Sequence, residues 1–167
     1  MIHEPTPTDI AYLAGLLDGE GSICIFRSTH RDGSSRHWIN VTIGNTHHGV
    51  LKWIQSIFGG RLASNAEQYK PQNHETWRWR VNAKEAALIL RLVSAYLKIK
   101  TEQASIAIEF QEHIEQHSQP NTTKPESAEE LAWREAQKGL LSQKNLRYRP
   151  EIVADSELES EVDDEET

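Results

Sequence analysis

The chain of 167 residues is long enough for one compact domain with a tail and too short for two large ones. Its single cysteine, Cys24, excludes an internal disulfide and a cysteine zinc cluster, so a reducing interior is the default. A net charge of −7 argues at first against a phosphate-rich partner, but nine acidic and no basic side chains fall in 151–167, and residues 1–150 carry 18 basic against 16 acidic groups, about +2.

Along the chain, the opening apolar stretch has no basic region ahead of it, and Asp18 and Glu20 interrupt it. Neither a secretory signal nor a membrane span is expected, and the protein is expected to be soluble and intracellular. Thr8 or Asp9 is placed to cap a helix from Ala11 to about Gly19. Two strands of a hairpin follow over 22–28 and 37–46, around a polar loop holding Asp32, Gly33, Ser34 and Ser35. Val50, Leu51, Ile54, Ile57 and Phe58 predict a helix over 48–58, stopped by Gly59 and Gly60. A second hairpin has strands over 61–68 and 76–82, joined by the turn-prone Lys70-Pro71-Gln72-Asn73. Helical periodicity then covers 83–97, 101–117 and 128–145. The acidic segment 151–167, rich in charge and poor in aromatics, is expected to be a disordered tail behind a single domain over 1–150.

This order is no alternating βαβ series, so the fold class is α+β: an antiparallel four-stranded sheet backed by helices on one face, with further C-terminal helices. Strand alternation sends Ile23, Ile25, Ile39, Val41 and Ile43 to the core. It leaves Ser22, Cys24, Phe26, Ser28, Trp38, Asn40, Thr42 and Gly44 on the open face, and in the last strand Arg78 and Arg80 alternate with Trp77, Trp79 and Val81. Such a face fits a nucleic-acid groove, in which strands read base edges. Antiparallel sheets ordinarily leave one face wet, yet the large apolar Phe26 and Trp38 on that face point to a partner.

The segment from Leu13 to Ser22, LAGLLDGEGS, sets small residues Ala11, Gly15 and Gly19 at every fourth position, a stripe along which another backbone can approach closely. Two symmetric copies would supply an isologous contact and bring Asp18 and Glu20 of each chain together, four carboxylates that need cations. Oxygen-only ligation suits Mg²⁺ and metal-assisted phosphodiester hydrolysis. The tetrapeptide Asp18-Gly19-Glu20-Gly21 taken alone is equally a polar turn.

The longer segment YLAGLLDGEGS resembles the signature of the LAGLIDADG homing endonucleases in order, spacing and position, and the order αββαββα across about residues 8–145 is similar to that family's fold. A second shared stretch, 96–104 (YLKIKTEQA), is similar to the one that carries the family's active-site lysine. The resemblance implies a site-specific double-strand DNA endonuclease of intron or intein homing. A single motif implies a homodimer that cuts a long pseudo-palindromic site to short 3′ overhangs with Mg²⁺ or Mn²⁺. It further implies that Glu20 binds metal with the Gly19 carbonyl, that Asp18 supports the helix end, and that Lys100, or Lys98 as second choice, stabilises charge at the phosphate. His47 falls where some members order solvent around the metals. Glu20 stands where the consensus has Asp, keeping the carboxylate on a longer arm. The implied DNA-binding set is the open-face residues with His30, Arg61, Gln68, Lys70, Arg78 and Arg80, and the implied dimer interface is Ala11, Gly15 and Gly19. Members of the family are encoded in bacterial, phage and organellar introns.

Other patterns carry less. His113 and His117 are four apart without the HExxH order and are expected to be surface histidines. No GxGxxG or P-loop pattern supports an organic cofactor. Lys138, Lys144, Arg147 and Arg149 form a basic cluster that suits either phosphates or a solvated helix. Two other classes are compatible with the pattern. One is a non-cleaving nucleic-acid binder of the same fold, an intron RNA maturase or DNA-binding regulator, which loss of the motif acids would favour. The other is a module whose only purpose is helix pairing, against which Arg27, Arg61, Arg78 and Arg80 on or beside the strands argue.

Overall fold

The computed structural model describes residues 4–29, 31, 35–64, 75–117 and 127–146. The expected tail over 151–167, His30, Gln68 and Lys70, the turn 70–73, and Arg147 and Arg149 lie outside the described residues. Helix α1 (Pro7–Glu20) leads into strands β1 (Gly21–Thr29) and β2 (Ser35–Asn45), helix α2 (His48–Phe58), strands β3 (Arg61–Ser64) and β4 (Trp77–Asn82), and helices α3 (Ala83–Val93), α4 (Thr101–His117) and α5 (Ala128–Leu146). Among the described residues no helix is long and apolar enough to cross a membrane.

Helix α1 starts earlier than Thr8 or Asp9 would have it. Thr6 is the N-cap: its hydroxyl accepts from the Asp9 amide, and the Asp9 carboxylate accepts from the Thr6 amide, a capping box with Pro7 at the first helical position. Asp9 therefore acts three residues into the helix, where an acid also meets the positive end of the dipole. At the other end the helix reaches Glu20, and Gly21 begins β1 in extended geometry. A Cβ at Gly21 would lie 2.5 Å from the Leu17 carbonyl oxygen, so only glycine lets the strand leave this close beneath the helix.

The four strands form one antiparallel sheet in the order β1-β2-β4-β3, so the two hairpins join through β2 and β4. Ile23, Ile25, Ile39, Val41, Ile43, Trp79 and Val81 are buried on the helix-covered face with Leu13, Ala14 and Leu17 of α1. Trp79 satisfies its indole N–H on the Gly59 carbonyl at 2.7 Å. Helix α3 ends at Val93 rather than continuing to 97: the chain turns at 94–96, the amides of Tyr96 and Leu97 both donate to the Val93 carbonyl, and those of Lys98, Ile99 and Lys100 then go to Asp18.

Helix α5 docks against α4 and the β1 edge through polar groups that sequence patterning assigned elsewhere. Arg27 turns to the helix side and pairs with Glu135 at 2.9 Å. The same carboxylate oxygen accepts from the fully buried His37 at 2.9 Å, while His37 Nδ1 meets no partner. His113 is not a surface histidine: it stacks on Trp133 at 3.7 Å, and its Nε2 bonds Glu130 at 2.9 Å. Lys138 and Lys144 pair with Glu135 and Glu102, so neither is a free phosphate-seeking cation.

The hydrogen bond from His37, aided by Lys138 and Arg27, holds the Glu135 carboxyl below its ordinary value of 4.5. Its contribution to stability is complete above that pH and is lost as pH falls through the lower native value. Replacing Glu135 with alanine strands a buried imidazole, so at pH 7 the variant should lose about 1–3 kcal/mol in urea unfolding. Its deficit against the parent should shrink on acidification; an unchanged deficit at low pH would refute the pairing as its source.

Candidate active site and DNA-facing surface

The end of α1 and the loop ahead of α4 are fastened together by one side chain. Asp18 Oδ2 accepts from the backbone amides of Lys98 at 2.7 Å and Ile99 at 3.2 Å, and Oδ1 accepts from the amide of Lys100 at 3.0 Å. Both carboxylate oxygens are thus engaged by backbone, in a charge-assisted clamp at the N-terminal end of a helix. The spacing suggested four converging acids in a symmetric pair and the resemblance a supporting role for Asp18; the structure uses Asp18 as a strut, which leaves Glu20, of the two motif acids, to present outward.

Clamping the loop places Lys100 at the tip of α1, where its ammonium donates to the Asp18 backbone carbonyl. Burial lowers the Lys100 pKa from 10.5, against the opposing pull of the Asp18 and Glu20 charges. Glu20 is exposed, and among the described residues no side chain hydrogen-bonds it. Lys98, the second choice, is exposed, and its backbone alone enters the clamp. His47 is the N-cap of α2: Nδ1 accepts from the Val50 amide at 3.1 Å and so carries no proton, while its own amide donates to Asn45 at 2.7 Å.

As a place for a metal, this junction offers hard oxygen donors: the Glu20 carboxylate and the Gly19 carbonyl, which lies in the last helical turn where carbonyls lack an intrahelical partner. Among the described residues no three acidic, histidine or cysteine side chains converge. The Glu20 carboxylate and the Gly19 carbonyl are nonetheless donors of the type that fits Mg²⁺, which takes one or two carboxylates and completes its shell with water and substrate phosphate.

Along α1, Gly15 and Gly19 are exposed, and a Cβ built on either meets nothing within 4 Å. Ala11 is half-buried and Tyr12 beside it is 51% exposed, so the small-residue stripe faces outward while Leu13, Ala14 and Leu17 face the core.

On the open face of the sheet, Ser22, Phe26, Ser28, Arg61, Arg78 and Arg80 are exposed, and Cys24, Trp38, Thr42 and Gly44 are half-buried. Asn40 departs from the expected pattern: it is only 2% exposed and donates to Asn82 at 2.6 Å. Among the described residues no carboxylate pairs with Arg36, Arg61, Arg78 or Arg80. Arg36 and Asn82 were not singled out from the sequence, although Arg36 shares the strand parity of Trp38 and Asn40 and that parity was sufficient to find it.

No protein-family model and no curated protein matches the sequence. Solved structures do. The homing endonuclease I-CvuI, in complex with its target and 2 mM Ca, aligns with a TM-score of 0.64 at 21% identity over 82% of each chain. The homing endonuclease I-TnaI aligns at 0.57 and 16% identity over 87% of this chain and 99% of that one. The LAGLIDADG homing endonuclease I-LtrWI, bound to target DNA, aligns at 0.60 and 15% identity over 77% of this chain and 42% of that one. Their α+β architecture is that of this chain, which has the LAGLIDADG homing endonuclease fold.

Replacing Lys100 with methionine should leave the Asp18 clamp intact, because the clamp uses the backbone. If the buried ammonium serves charge stabilisation, turnover of a cleavable duplex should fall about 10²–10³-fold, the usual cost of one such donor, without a lower melting temperature. Full turnover, or loss of folding instead, would remove Lys100 from the chemistry.

Proposed function

We propose that the chain is a site-specific double-strand DNA endonuclease of the homing type that acts as a homodimer with Mg²⁺ or Mn²⁺. The observation that carries this reading is an outward-facing glycine stripe on α1 that ends at an unpaired carboxylate, with a half-buried lysine fastened beside it.

Two copies of the stripe meeting across a twofold axis would bring Glu20 of each subunit to the phosphodiesters over the axis. A bound divalent cation would lower the pKa of its water and neutralise charge on the leaving oxygen. Glu20 and the Gly19 carbonyl would hold that ion, and Lys100 would donate to the phosphate oxygen as negative charge develops. His47, whose Nδ1 is committed to the helix cap, has its other nitrogen left to order solvent. The two sheets, lying end to end with their arginines, would follow the major groove over a long pseudo-palindromic site, and paired cuts across the intervening minor groove would leave short 3′ overhangs. I-CvuI has been solved in the presence of 2 mM Ca and, with DNA not cleaved, of 2 mM Mg, which is consistent with divalent metal use. The motif acid Glu20 is present and exposed, which favours cleavage over a purely binding descendant of the fold.

In selection of cleaved sites from a randomised duplex library with Mg²⁺, Glu20→Gln should retain binding to the parent's site and lose cutting; a variant that still cuts would move the metal site elsewhere. Separately, Gly15→Leu meets empty space within one subunit and replaces a costly helical glycine. It should keep or raise the melting temperature while converting a dimer to a monomer in light scattering, and a variant that remains dimeric would overturn the pairing through α1.

A further inference from the structure

The open sheet face is not uniformly polar. Toward the outer end of the first hairpin, Phe26 of β1 lies directly opposite Trp38 of β2, with ring centroids 6.1 Å apart and planes at 55°. Phe26 is 46% exposed. These rings form one wall of a hollow of about 440 Å³ whose rim carries Arg36 and Arg80 and whose lining includes Asn40 and Asn82.

The floor of that hollow is held in a costly arrangement. Asn82 is the N-cap of α3, where asparagine ordinarily accepts from a first-turn amide, yet its side chain makes no cap bond. Its Oδ1 instead accepts from the nearly buried Asn40. Ala83, the next residue, has a φ of +47°, in the left-handed region that a Cβ disfavours. A forgone cap and a strained alanine beside one hollow, with two unpaired guanidinium groups at its rim, mark a place shaped for a ligand.

The chemistry of the lining selects among groups on a duplex. In the major groove the apolar group on a base edge is the C5-methyl of thymine, a substituent shared by 5-methylcytosine, and guanine turns two acceptors toward a guanidinium. We propose that this hollow takes the C5-methyl edge of a pyrimidine, with Phe26 and Trp38 against the methyl and Arg36 and Arg80 donating to acceptors beside it. Phe26 and Trp38 then determine specificity at one position of each half-site. The inference rests on the reading of the chain as a DNA endonuclease and deepens it.

The test starts from the site that the full-length protein selects. Each thymine is replaced in turn by deoxyuridine, which removes one methyl and nothing else, and affinity is followed by fluorescence anisotropy in Ca²⁺. One thymine per half-site should cost about three- to fivefold when replaced, the scale of one methyl withdrawn from an apolar contact. At that position 5-methylcytosine should bind more tightly than cytosine. Trp38→Ala and Phe26→Ala should bind the thymine and deoxyuridine duplexes alike there and keep the parent's ratios elsewhere; the exposed Phe26 supplies the variant that folds if loss of Trp38 does not allow it. A deoxyuridine scan without any sensitive position, or variants that retain the parent's ratio at it, would overturn the proposal alone. Failure to bind or cut any duplex would overturn the endonuclease reading and the inference with it.

Discussion

Three backbone amides, from Lys98, Ile99 and Lys100, converge on the single carboxylate of Asp18, eighty residues away in sequence. Charge-assisted hydrogen bonds of this kind are about twice as strong as neutral ones, and the three donors are the residues immediately ahead of α4. The clamp holds the segment just ahead of α4 and fixes Lys100 against the tip of α1. Glu20 and Lys100 owe their proximity to it. Without that bond the acid would belong to one mobile helix end and the lysine to a free loop.

A second set of contacts steadies the same junction from the other side. The C-terminal end of α5 reaches Glu102 in the first turn of α4 through Lys144, and the Ile23 carbonyl of β1 through Asn145 at 3.0 Å. Strand β1 starts one residue after Glu20, and Glu102 lies two residues after Lys100, so α5 touches both arms of the site without entering it. Glu135 and His37 anchor its middle and Glu130 its start. A helix outside the αββαββα core is in this way tied to the geometry of the core's working end.

Much of the architecture was legible in the sequence because it follows from short-range rules. Period-two alternation placed the five isoleucine and valine residues of the first hairpin on the buried face, and Gly59 and Gly60, both at positive φ, end α2 where the glycine pair was expected to, although Gly59 with ψ −146° does not take the left-handed helical geometry expected of the cap. What sequence could not give was the partner of a polar group. Spacing made Asp18 one of a cluster of acids and the resemblance gave it a supporting role at the helix end; the amides it supports are ones that no periodicity brings near it. Arg27 read as an outward cation on or beside a strand, and Asn40 as a DNA-binding residue of the open face. Each is settled by a residue far along the chain, Glu135 and Asn82, and such pairings leave no local trace. Helix starts failed for a smaller reason: Thr6, Thr8 and Asp9 are all competent caps, and Pro7 decides among them by favouring the first helical position after Thr6.

The departures from local good practice fall in a pattern. Gly15 and Gly19 stand in a helix at a cost of about 1 kcal/mol each relative to alanine, and nothing within the subunit requires them to be so small. Lys100 holds a charge that burial disfavours. Asn82 gives up a cap, and Ala83 takes a left-handed φ. A folded subunit considered alone would be more stable with each of these repaired. On the proposed reading these lie where a second copy or a duplex would be met, whereas the unpartnered His37 Nδ1 and the helical Gly139 of α5 are departures on the side where α5 packs. Violations of local consistency are expected where function rather than stability sets the residue. The glycine stripe, the half-buried lysine and the Asn82–Ala83 step are therefore positions where a working role, on that reading, accounts for a residue that stability alone does not.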